Sequence, residues 1–155
     1  MHDHIAEASK AAGVTPDQLA PVRLTQYRQV LQRVLESFTT LGAGGEDRLW
    51  LWEDFKEPGY ALPAEPGHAL LSRLISPQQR VWFIAEDWDG HKKDGNLWVF
   101  EGQAEAVGAV LDELFFFEYY VVDKSYGWLL CETHHNMLIG VGEPIVERMK
   151  ALAST

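Results

Sequence analysis

A chain of 155 residues with 46% apolar and 23% charged content has the size and make-up of one ordinary globular domain. Its 23 acidic residues against 13 basic give a formal net charge of −10, which repels phosphate backbones, argues against DNA or RNA as a ligand and favours a basic protein partner. A single cysteine, Cys131, excludes an intramolecular disulfide, and no apolar run approaches the ~20 residues of a membrane span or forms the apolar core of a secretory signal, so the expected location is the cytoplasm.

The chain reads as a single domain over 1–155, whose polar, alanine-rich residues 1–14 are expected to be a disordered N-terminal tail. Thr15-Pro16-Asp17-Gln18 has the form of a capping box, so a helical turn is expected there, interrupted at Pro21. Leu24, Tyr27, Leu31, Val34, Leu35 and Phe38 then recur at helical spacing, and Gly42-Ala43-Gly44-Gly45 ends the helix. Arg48 to Phe55 (RLWLWEDF) has apolar residues on both faces of a strand, as in a covered sheet.

Lys56 to Pro66 carries three prolines and reads as an irregular loop. His68 to Ile75 predicts a short helix stopped by Pro77. Arg80 to Glu86 and Gly95 to Glu101 form two strands around a polar hairpin loop, and Ala104, Val107, Val110, Leu111 and Leu114 mark an amphipathic helix.

The chain is organised around Phe115 to Gly142. Glu118 to Asp123 is aromatic and β-branched, Lys124-Ser125-Tyr126-Gly127 is a turn with Gly127 suited to positive φ, and Trp128 to Thr133 returns. A second turn at His134-His135-Asn136 leads to a strand over Met137 to Gly142, making a β-meander at the middle of one sheet, in which Tyr120, Val122, Leu130 and Ile139 should be buried. Pro144 then opens a last helix. The order α-β-α-β-β-α-β-β-β-α predicts an α+β fold: a mostly antiparallel sheet of about six strands with helices on its faces.

Two groups of residues invite a functional reading. Glu132, His134 and His135 are candidate metal ligands if the backbone turns between the two histidines; the plainer reading is a polar turn. Trp52, Glu53 and Asp54 lead out of one strand and Glu86, Asp87, Trp88 and Asp89 out of another. Were those ends neighbours, they would make an acidic, tryptophan-bearing lip able to steer and anchor a cationic partner. The alternative is a solvated loop cluster. Neither Cys131 nor Ser125 has the surroundings of a nucleophile, so no catalytic residue is assigned, and no cofactor is implied.

RLWLWEDF, VWFIAEDWDG, NLWVFEG and FEYYVVDKSYGWLLCETHHNMLIGVG together resemble a group of small uncharacterised bacterial α+β proteins over roughly residues 46–142, with the sharpest match at Phe117-Glu118-Tyr119-Tyr120 and Cys131 to His135. A looser likeness is to immunity proteins of bacterial toxin systems, including the SMI1/KNR4-like superfamily. That likeness implies a non-enzymatic protein-binding module that masks a basic toxin domain. The alternative is a small metal-binding protein or metal-dependent hydrolase built on the His134-His135 region.

Overall fold

In the computed structural model, which describes residues 1–41, 55–56, 59–87 and 97–154, the central meander forms as β5 (Tyr119–Asp123), β6 (Leu129–Glu132) and β7 (Met137–Val141). It joins β3 (Arg80–Glu86), β4 (Leu97–Gln103), β1 (Leu19–Pro21) and β2 (Tyr60–Pro63) in one seven-stranded sheet of order β1-β4-β3-β5-β6-β7-β2, antiparallel throughout. Both faces are covered. Tyr120, Val122, Leu129, Cys131, Ile84 and Val99 pack beneath α2 (Leu24–Phe38). Phe83, Phe100, Tyr119, Val121, Leu130 and Leu138 pack on the other face against α1 (His2–Ala12), α3 (Leu71–Leu74), α4 (Ala104–Asp112) and α5 (Glu143–Ala153). The YYVV run of β5 is apolar on both sides because each side meets a helix layer.

Several expectations change. The segment 1–14 is not a tail: residues 2–12 form α1, which buries Ile5 and Ala8 and ends at Gly13, whose φ of 71° is open to a residue without a Cβ. Two apolar positions one turn apart suffice once a tertiary surface receives them. At Thr15 the capping box is half made, the Thr15 N–H donating to Gln18 Oε1 at 2.9 Å. It closes one turn only, because Leu19–Pro21 leave to pair with β4. α2 stops at Thr39, whose hydroxyl donates to the Leu35 carbonyl at 2.8 Å, ahead of the glycine cluster, and Leu24 is 75% exposed at its first turn.

The proline-rich stretch expected to be irregular contains β2. As an edge strand it tolerates Pro63, whose missing N–H would break an interior ladder. The expected strand over Arg48 to Phe55 lies outside the described residues except for Phe55, which bridges Thr39. Between β5 and β6 the left-handed residue is Tyr126 (φ 60°), not Gly127, and Asn136 (φ 59°) plays the same part in the second turn. In β7 it is Leu138, not Ile139, that is fully buried.

Candidate functional site

Three carboxylates meet one end of the central strands. Glu86 closes β3, Glu118 immediately precedes β5 and Glu132 closes β6, at 0%, 0% and 2% exposure. Adjacent strand residues point to opposite faces, so neighbouring Tyr119 and Tyr120 serve different acids. The Tyr120 hydroxyl donates to Glu86 Oε1 at 2.6 Å on the α2 side, and the Tyr119 hydroxyl donates to Glu132 Oε1 at 2.6 Å on the other. Glu132 Oε2 also accepts the Gly67 N–H at 2.8 Å, where a Cβ on residue 67 would lie 2.8 Å from the carboxyl carbon. Glu118 Oε1 accepts the His134 N–H at 3.0 Å and bonds the His134 ring at Nδ1.

Such buried carboxylates are tolerable because hydroxyl, ring or backbone donors reach each of them, two for Glu132, two from His134 for Glu118 and the Tyr120 hydroxyl for Glu86. The donors stay protonated. Burial pushes the Tyr119 and Tyr120 hydroxyls well above the ordinary phenol range, and neighbouring Glu132 and, for Tyr120, Cys131 and Glu86 push the same way. Burial does the same to the Cys131 thiol, helped by Glu118, Glu86 and Glu132, so the fully buried sulfur is a small packing group and no nucleophile. Chemically, this end of the sheet is a set of latches.

The candidate metal ligands are not gathered round one point. The backbone does turn at Thr133 to Asn136, as the metal reading required. Glu132 nonetheless points to Tyr119 and Gly67, whereas His134 is held by Glu118 and lies against His135 with ring centroids 4.0 Å apart and planes tilted by 45°. Among the described residues no group of three or more His, Cys, Asp or Glu could hold a metal ion.

Of the acidic lip, Glu86 is buried, and Asp87, 3% exposed, accepts the Trp98 indole N–H at 3.0 Å and lies 3.7 Å from the Met1 amino group. These two carboxylates therefore work inside the protein and not as exposed steering charges. Trp52, Glu53, Asp54, Trp88 and Asp89 lie outside the described residues.

What sequence reasoning passed over is the junction between α4 and β5. Phe117 is buried, but Phe115 and Phe116 are 59% and 40% exposed, separated only by Leu114 from the exposed acids Asp112 and Glu113. His4 of α1 meets Phe115 edge-on at 5.5 Å, and a hollow of about 140 Å³ lies beneath the pair, bordered by Leu111, Leu114, Pro66 and His68. The signal was available: three phenylalanines in a row, leaving a helix for a strand, cannot all face one core.

A seven-stranded antiparallel sheet sandwiched by helices, with its reactive-looking side chains bonded to one another at a buried end, defines an α+β protein whose only large exposed aromatics among the described residues stand beside acids. Residues 1–153 match the Family of unknown function (DUF6756), and the chain belongs to that family. No curated protein and no solved structure matches it. No helix among the described residues is long and apolar enough to cross a membrane.

Proposed function

We propose that this chain is a non-enzymatic protein-binding module that docks a basic protein, and that the partner is a toxin domain it masks as an immunity protein does. The observation that carries the reading is the exposed Phe115-Phe116 pair next to Asp112 and Glu113, in a chain of net charge −10. Aromatic anchors hold a partner after docking, and surrounding charge of one sign speeds the encounter with the opposite sign. The burial of Glu86, Glu118, Glu132, Tyr119 and Tyr120 also supports it, since these groups are engaged in bonds between segments of the sheet and its turns, and Cys131 is a buried packing group.

The test is capture from lysate of the source organism on the immobilised chain, followed by kinetics on the protein retained. A basic protein is expected, with association slowing as salt rises and dissociation quickening about tenfold in the Phe115→Ala/Phe116→Ala double variant. Expressed alone it should arrest growth, and co-expression with this chain should relieve the arrest. Retention indifferent to both salt and the phenylalanines would overturn the docking surface; a partner harmless when expressed alone would overturn the immunity role.

A further inference from the structure

Beside the phenylalanine pair lies a larger cleft of about 340 Å³ between α4 and the segment made of the 3-10 turn Gly67–Leu70 and α3. Its floor is apolar: Leu71, Ile75, Ala104, Gly108 and Ala109. Its rim carries two exposed acids of α4, Glu105 and Asp112, seven residues apart and so on one helix face about 10.5 Å from each other along the axis. Gly108 sits between them, and a Cβ there would meet no atom within 4 Å, so the cleft has open space at this position. His68 holds Asp112 in place through a 2.7 Å contact from Nε2 to Oδ1, and the same His68 borders the hollow under Phe115 and Phe116, so the two depressions share a wall.

We infer that this cleft receives a single lysine or arginine side chain of the basic partner. The inference rests on the docking surface proposed above and names where its charge is read. Long cationic side chains lay an aliphatic stem on apolar surface and keep the charged head among polar groups. Here the stem lies over Leu71, Ile75 and Gly108 while the head sits between Glu105 and Asp112. The cleft is within the size range that encloses a ligand group, and its polar groups are few: the carboxylates of Glu105 and Asp112, the Ser72 hydroxyl, and His68 on the far side of Asp112. An apolar residue next to that cation in the partner then falls on Phe115 and Phe116.

The probe is a short amidated peptide of alternating arginine and leucine, compared with the same peptide carrying glutamate for arginine and with free spermidine. Titrated into the isotope-labelled full chain, the arginine peptide should shift the backbone resonances of Ser72, Gly108 and Ala109, and the glutamate peptide should not. Gly108→Leu fills the cleft from a helical position with open space around it, so its melting temperature should equal or exceed that of the wild type. It should nevertheless weaken the arginine peptide about tenfold, as should Glu105→Lys. Unchanged peptide affinity in Gly108→Leu would overturn the cleft. So would spermidine binding there as tightly as the peptide, which would make it a polyamine pocket. If Phe115→Ala/Phe116→Ala weakens the captured partner and Gly108→Leu does not, the docking surface stands and the cleft assignment falls; if neither variant weakens it, both fall.

Discussion

The Tyr119–Glu132 latch gives the sharpest quantitative test of the view that the buried acids hold structure. Tyr119→Phe removes one hydroxyl and nothing else, leaving Glu132, at 2% exposure, with the Gly67 N–H as its remaining described partner. A hydrogen bond to a charged group contributes about 1.5–3 kcal/mol, and for a protein of this size 1 kcal/mol moves the melting temperature by roughly 2–4 °C. Tyr119→Phe should therefore lower it by roughly 3–12 °C. Glu132→Ala is worse, because both the phenol and the Gly67 N–H lose their acceptor. At about 1–3 kcal/mol for each stranded donor it should cost about 2–6 kcal/mol.

The decisive quantity is the coupling. Urea unfolding followed by tryptophan fluorescence on wild type, Tyr119→Phe, Glu132→Gln and the double variant gives a thermodynamic cycle. Direct contact across paired strands, Tyr119 being opposite Glu132 in the ladder, predicts a coupling of about 1–2 kcal/mol. A value below about 0.3 kcal/mol, the level at which independent sites add, would refute the latch and return Glu132 to the pool of groups free for other chemistry.

Two further outcomes follow from the same burial. Leu130→Ala, at a fully buried position of β6, should cost about 2–5 kcal/mol in urea unfolding; a variant as stable as the wild type would remove the meander from the core. The folded chain keeps Cys131, Tyr119 and Tyr120 protonated above their ordinary values, of about 8.5 for a thiol and about 10 for a phenol. The unfolded chain then binds fewer protons than the folded one, so stability should be full below about pH 8.5 and fall as pH rises, each group adding up to ~1.4 kcal/mol per pH unit. Unfolding midpoints across that range would show it, and Cys131→Ala should delete the part of the fall that begins first; a flat profile would contradict the protonation states.

The helices α2, α4 and α5 and the strands β3 to β7 were legible because each has an apolar period long enough to declare itself. α1 and β2 were not. α1 shows two buried positions in eleven, and β2 is four residues beside prolines, so each owes its existence to the surface that receives it. The exposure of Phe115 and Phe116 was hidden by their composition: an apolar run looks like core, and only the placement of α4 against β5 decides which rings have room inside. Glu86 and Asp87 looked like surface charge for the converse reason, their donors Tyr120 and Trp98 being 34 and 11 residues away.

The latches themselves divide along the same line, between local and distant pairing. A four-residue turn at 124–127 sets Asp123 against Trp128, and counting outward from that closure puts Tyr119 opposite Glu132 and Tyr120 opposite Cys131. That half of the site could be counted from the sequence. The pairing of β3 with β5, which brings Glu86 within reach of Tyr120, spans more than thirty residues and a helix, and no local pattern encodes it. What does encode it is the cost of error. A one-residue slip of β5 would put Val121 in place of Tyr120 beside Glu86, or Glu118 in place of Tyr119 beside Glu132, so in either direction one buried acid loses its hydroxyl donor, a penalty greater than an apolar mismatch on a sheet greasy on both faces. On such a sheet, where hydrophobic patterning specifies register weakly, buried acids with single matching hydroxyls specify it strongly. The FEYY and CETHH segments therefore look like chemistry yet act as the register code of the fold, which is why the functional reading rests on α4 and the two phenylalanines that follow it.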